Sequence, residues 1–126
     1  MKKMIVLGWI LMGALLAAGE FQPQELIQKE AKISGLILNA YRQGKSTDHY
    51  FQTLCRVHKE LSHKVTSAEA NEMLNFLDYC IADLNSSLSQ PSTPENIEIV
   101  RDLHNSIQEG TSYLSRLSQT TVTAAR

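Results

Sequence analysis

The sequence predicts an all-α fold, an up-down-up-down antiparallel four-helix bundle that follows an N-terminal signal peptide. Three observations lead there. Apolar side chains recur at steps of three and four through four successive stretches between residues 24 and 118, the spacing that lines one face of an α-helix. The connections between these stretches are short, about four to six residues, so consecutive helices should lie side by side and antiparallel. No segment alternates apolar and polar residues over a strand's length between turn signals.

The N-terminus has the three-part layout of a secretory signal. Lys2 and Lys3 form a basic start, and residues 4–18 carry no charge or strongly polar side chain. Ala17, Ala18 and Gly19 supply the small side chains signal peptidase accepts, so cleavage is expected after Gly19, or after Ala18. The alternative is a retained single-pass anchor in the inner membrane. A span needs about 20 apolar residues, and this run reaches roughly 15 before Glu20 interrupts it. The expected location is therefore the periplasm or the secreted fraction, with contact to a membrane only if the segment is uncleaved. Loss of Lys2 and Lys3 leaves ten Lys plus Arg against thirteen Asp plus Glu. A mildly acidic surface suits a soluble domain and argues against a basic footprint for nucleic acid.

The first helix is expected from Gln24 to Arg42, with Pro23 suited to its first turn. Leu26, Ile33, Ile37 and Ala40 form one apolar row, and Ile27, Ala31, Leu38 and Tyr41 a second, so the buried face is wide. Gly35 interrupts it at a cost of about 1 kcal/mol relative to alanine, unless a neighbouring helix comes close there. Gly44 reads as the stop signal. Ser46 or Thr47 then caps a second helix, Asp48 to Lys64, whose apolar face is Tyr50, Phe51, Leu54, Val57, His58, Leu61 and Val65.

The third stretch, Thr66 to Leu88, is the most regular. Ala70, Met73, Leu74, Leu77, Cys80, Ile81, Leu84 and Leu88 form its stripe, and Thr66 with Glu69 has capping-box spacing. The Ser89 to Pro94 loop follows. Either Ser92 with Glu95 or Thr93 with Pro94 starts a fourth helix to about Ser118, carrying Val100, Leu103, Ile107, Gly110, Leu114 and Leu117 on one face. Residues 119–126 have no apolar period and are expected to fray. The bundle domain is thus residues 20–118.

Export places both cysteines, Cys55 and Cys80, where disulfides persist. If the second and third helices turn back near residues 64–67, Cys55 lies opposite Phe76, about one helical turn from Cys80. A Cys55–Cys80 bridge is expected, and it would stabilise by roughly 3 to 4 kcal/mol through unfolded-chain entropy.

Motifs for chemistry are sparse. His58 stands three residues after Cys55, and His104 borders the fourth apolar stripe, so His58, Met73 and His104 are the candidates for a metal or haem site between helices. The stronger reading of each is a core-boundary residue with an ordinary polar partner, and no metal or cofactor is expected. There is no GxSxG, HExxH, P-loop or GxGxxG, and no catalytic residue is assigned. The expectation is a noncatalytic, exported protein-binding protein of a bacterial envelope: an adaptor, inhibitor, immunity-type partner or chaperone. Its contact candidates are Tyr79, Tyr113 and the loop at Pro91. A ligand-, haem- or metal-binding bundle, or an anchored subunit of an envelope complex, are the alternatives.

Overall fold

The computed structural model describes residues 23–125, with side chains to residue 118. Within them the chain is all-α: α1 spans Pro23–Arg42, α2 Asp48–Lys64, α3 Ala68–Leu88 and α4 Pro94–Ala125, and there is no strand among the described residues. The signal peptide expected at residues 1–19, its reading as an anchor, and residues 20–22 lie outside the described residues. None of the described helices is long and apolar enough to cross a membrane.

The helix ends follow local chemistry. Gly44 adopts φ +70°. Its amide donates to the Tyr41 carbonyl and the Lys45 amide to that of Ala40, the paired bonds that end a helix on a left-handed residue. α2 starts after Thr47 without a side-chain cap bond. α3 starts one residue later than its spacing suggests, because Ser67 and not Thr66 is the cap: the Ser67 hydroxyl accepts from the Ala70 amide at 3.1 Å. Thr93 caps α4 by accepting from the Asn96 amide at 3.2 Å, with Pro94 in the first turn. The α4 backbone stays helical to Ala125, beyond the end expected at Ser118, since no glycine or proline intervenes.

α1 packs against α2 and α4, and α3 packs against α4, while α2 meets α3 only lightly. Three contacts run in opposite order along α1 and α4: Gln24 to Ser115, Ala31 to Gln108 and Ser34 to His104. That seam is therefore antiparallel. The core draws on all four apolar stripes, with Ile37, Leu54, Leu61, Leu77, Val100 and Ile107 fully buried. At Gly110 the α3–α4 approach is close. A Cβ there would stand 2.7 Å from Leu77 Cδ2 and 3.2 Å from Met73 Sδ, so a larger residue would have to push the Leu77 side chain aside. Gly35 is different, because a Cβ there would meet His104 Cε1 at an ordinary 3.5 Å.

The expected Cys55–Cys80 disulfide is absent: both thiols are free, Cys55 exposed and Cys80 buried. Height along the helices is not the obstacle. His58 meets Asp78, and an antiparallel pair in that register sets Cys55 level with about position 81. Direction is the obstacle. Asp78 is the residue that faces α2, and Cys80 lies about 200° further round α3. There it shares the flank of Met73 and Leu77, which lie against α4 at Gly110.

Candidate functional site

The interior holds polar groups that the apolar stripes do not account for. Glu30, between Ile27 and Ile33 on the buried face of α1, is 0% exposed. Its carboxylate accepts from His58 Nδ1 of α2, with oxygens at 3.1 and 3.3 Å. On the other side of the ring, Asp78 Oδ1 of α3 lies 2.6 Å from His58 Nε2. That oxygen sits off the N–H axis, so the contact is an ion pair and not an aligned hydrogen bond. Burial opposes charge on His58, but the hydrogen bond and charge of Glu30, joined by Asp78, outweigh it and raise the pKa above its ordinary 6.5. The result is an imidazole clasped between two carboxylates that favour its charged form, linking three helices across the loosest seam of the bundle.

A second polar set joins α1 to α4. The Ser34 hydroxyl donates to the Ala31 carbonyl at 2.8 Å, so its single proton is used there. The 2.9 Å contact from His104 Nδ1 to Ser34 Oγ must then have the ring as donor, so Nδ1 carries a proton, as it does in the neutral Nδ1–H tautomer. Burial lowers the His104 pKa, consistent with that form. Gln108 Nε2 donates to the Ala31 carbonyl at 2.9 Å, and Gln24 Nε2 donates to Ser115 Oγ.

These engagements answer the metal and haem candidates. His58 is held by Glu30 and Asp78, His104 by Ser34, and Met73 lies against α4 beside Gly110. The three are not brought together. Among the described residues no group of three His, Cys, Asp or Glu side chains is placed to hold a metal ion.

The contact candidates have clearer positions. Tyr79 is exposed on α3 and Tyr113 is half-buried on α4, with the Arg116 guanidinium 5.9 Å from its ring centre. Phe76, 45% exposed, and Ile99, 48% exposed, were not singled out by periodicity. Phe76, Ile99 and Tyr113 border one seam, while Tyr79 stands further round α3 on its outer face. Phe76 lies between Met73 and Leu77 in sequence, and Tyr113 one turn beyond Gly110, the residue those two approach. Ile99 is three turns before Gly110 on nearly the same side of α4, about 16 Å along it. Pro91 is exposed, but its carbonyl is tied down by the Tyr41 hydroxyl at 2.8 Å and Asn96 Nδ2 at 2.8 Å. The same hydroxyl lies 2.9 Å from the Gln90 carbonyl, and burial raises the Tyr41 pKa. This loop is therefore braced against α1.

Among the described residues, two clefts open to solvent bear on function. A polar one of about 260 Å³ lies between the α1–α2 turn and the braced loop, lined by Tyr41, Lys45, Asp48 and Gln90 among others. A larger, mainly apolar one of about 470 Å³ opens where α1 begins and α2 turns into α3. Ile27, Val65, Ala70, Leu114 and Leu117 form its walls. Neither cleft is lined by His58. Comparison of the chain with protein-family models, curated proteins and solved structures finds no match in any of the three.

Proposed function

We propose that this chain is an exported, noncatalytic protein-binding module of the bacterial periplasm or cell envelope, an up-down-up-down bundle that meets its partner along the outer α3–α4 seam. The observation that carries the reading is the exposure of Phe76 and Ile99 there, beside Tyr113. Scattered apolar residues on a surface are ordinary, but aromatic and aliphatic side chains along one seam are what binding surfaces use as anchors. The antiparallel α1–α4 seam and the short connections support the up-down-up-down path. The noncatalytic part rests on His58, the buried imidazole best placed for proton transfer. Both its nitrogens face carboxylates of the fold, and it borders neither cleft, whereas a general base needs a ring nitrogen within reach of a substrate.

Photocrosslinking in the producing cell tests it. A photoreactive amino acid at position 76 or 99 should give one discrete adduct in the envelope fraction, and the same residue at Glu60 on the outer side of α2 should give none. Equal labelling from all three positions, or recovery of the chain in the cytosol, would remove the proposal.

A further inference from the structure

We infer that the partner met along the α3–α4 seam is a cationic amphipathic helix, a lysine- and arginine-rich segment of another protein that sets two apolar anchors against Phe76 and Ile99. The inference rests on that seam being the contact surface and adds what the surface takes. Charge makes the choice. α3 carries Glu69, Glu72, Asp78 and Asp83 and no lysine or arginine. Asp78 is turned to His58 of α2, and the other three are exposed. Glu69, Glu72, Phe76 and Asp83 follow one another at steps of three, four and seven, which is one side of the helix. Along α4, Glu95, Asp102 and Glu109 recur at steps of seven, all exposed, with Ile99 and Tyr113 three or four residues from them.

None of these six carboxylates is in an ion pair among the described residues. Arg101 is paired with Glu98, and Arg116 stands at the Tyr113 end of the seam. The exposed cations Lys32, Arg42, Lys45, Arg56 and Lys59 belong instead to α1, α2 and the turn between them. Like charges gathered beside apolar anchors repel one another until cations come between them, so a basic partner gains at this face what a neutral one does not. The same sign repels a nucleic-acid backbone and the anionic headgroups of a bilayer. Spacing selects a helix. Phe76 lies between Met73 and Leu77, which both reach Gly110, and Ile99 is eleven residues before Gly110, about 16 Å along α4. A helix laid along the seam presents residues eleven apart on one side at that same spacing. A second copy of this chain fits less well. Among the described residues its basic half exposes one large apolar side chain, Leu36, so it has one anchor to give, and a head-to-tail contact of this kind does not close.

The test sequences the photocrosslinked adduct formed from position 76 of the full chain in the producing cell. The attachment point should fall in a segment of another protein with a net charge of about +4 over roughly 18 residues and two apolar side chains eleven apart. Made as a labelled synthetic peptide, that segment should bind the purified protein one-to-one, about tenfold more weakly at 0.3 M than at 0.1 M salt. Joint Glu72→Gln and Asp102→Gln substitution should weaken it about fivefold, and Phe76→Ala about tenfold, while Glu60→Gln on α2 changes nothing. All four positions are exposed, and an unchanged far-ultraviolet circular dichroism spectrum confirms that each variant folds. No adduct at all would remove the contact surface and this inference with it. An adduct on an acidic or uncharged segment, on lipid, or on α1 or α2 of a second copy would leave the surface standing and overturn the cationic helix. Affinity indifferent to salt and to the two glutamines would overturn it equally.

Discussion

Replacing His58 with leucine should be among the most damaging single changes in the bundle. Glu30 is 0% exposed, and its hydrogen bonds come from His58. Removing the imidazole strands a carboxylate without solvent or counter-charge, a loss that costs about 3–5 kcal/mol. A small domain has only about 5–15 kcal/mol of net stability to lose. Asp78, 61% exposed, returns to water at little cost. The reverse change, Glu30→Leu, should cost less, about 1–2 kcal/mol, because His58 keeps Asp78 and can release its proton. The double leucine variant should recover most of the loss, since buried ion pairs replaced by apolar residues are often neutral. The sign of the pH effect follows from the raised pKa of His58. Its contribution is fully present below the unfolded value near 6.5 and is lost as pH rises through the higher folded value. Urea unfolding followed by far-ultraviolet circular dichroism between about pH 5 and pH 9 reads all of this. A double variant as unstable as the two single losses added together, or a wild-type profile unchanged by His58→Leu, would refute the reasoning.

Three further outcomes are expected. Gly110→Ala should destabilise by about 1–3 kcal/mol, since its methyl meets Leu77 at 2.7 Å, whereas Gly35→Ala should stabilise by up to about 1 kcal/mol; paired thermal melts check both. His104 opposes His58 in pH: its lowered folded pKa means that stability falls as pH drops below about 6.5, and a His104→Gln chain should lose that low-pH decline in the same urea series. Reductant should leave the melting temperature unchanged. A thiol-reactive dye should find two free thiols, Cys55 fast and Cys80 only on unfolding, and a single slow class would contradict the assigned exposures.

Periodicity located the helices and the apolar core well, because a three-and-four stripe and its burial are the same fact seen twice. The stripe of α3, from Ala70 to Leu88, lies in the core or against it residue for residue. Caps were less legible: Thr66 and Ser67 are both acceptable, and only the backbone path shows which hydroxyl reaches an amide. The polar interior was half visible. An acid between Ile27 and Ile33 sits on a buried face and demands a partner, and His58 was already at the edge of its own stripe, but nothing in sequence pairs one with the other. The disulfide expectation failed for a related reason. Turn position set the cysteines near one height, while the direction each faces depends on how α2 and α3 are rotated, which the loop length does not encode. The cleft was invisible, being made where the start of α1, the α2–α3 turn and the flank of α4 meet.

The zipper between α1 and α4 ties residues 24–34 to residues 104–115, so the first and last of the four helices are immediate neighbours. Helices α2 and α3 hold one another only lightly. During synthesis α1 therefore has only α2 to lean on until the fourth helix arrives. The bundle is closed by its last helix: a chain cut before residue 94 would keep the α1–α2 pair and lose the neighbour that α1 and α3 share.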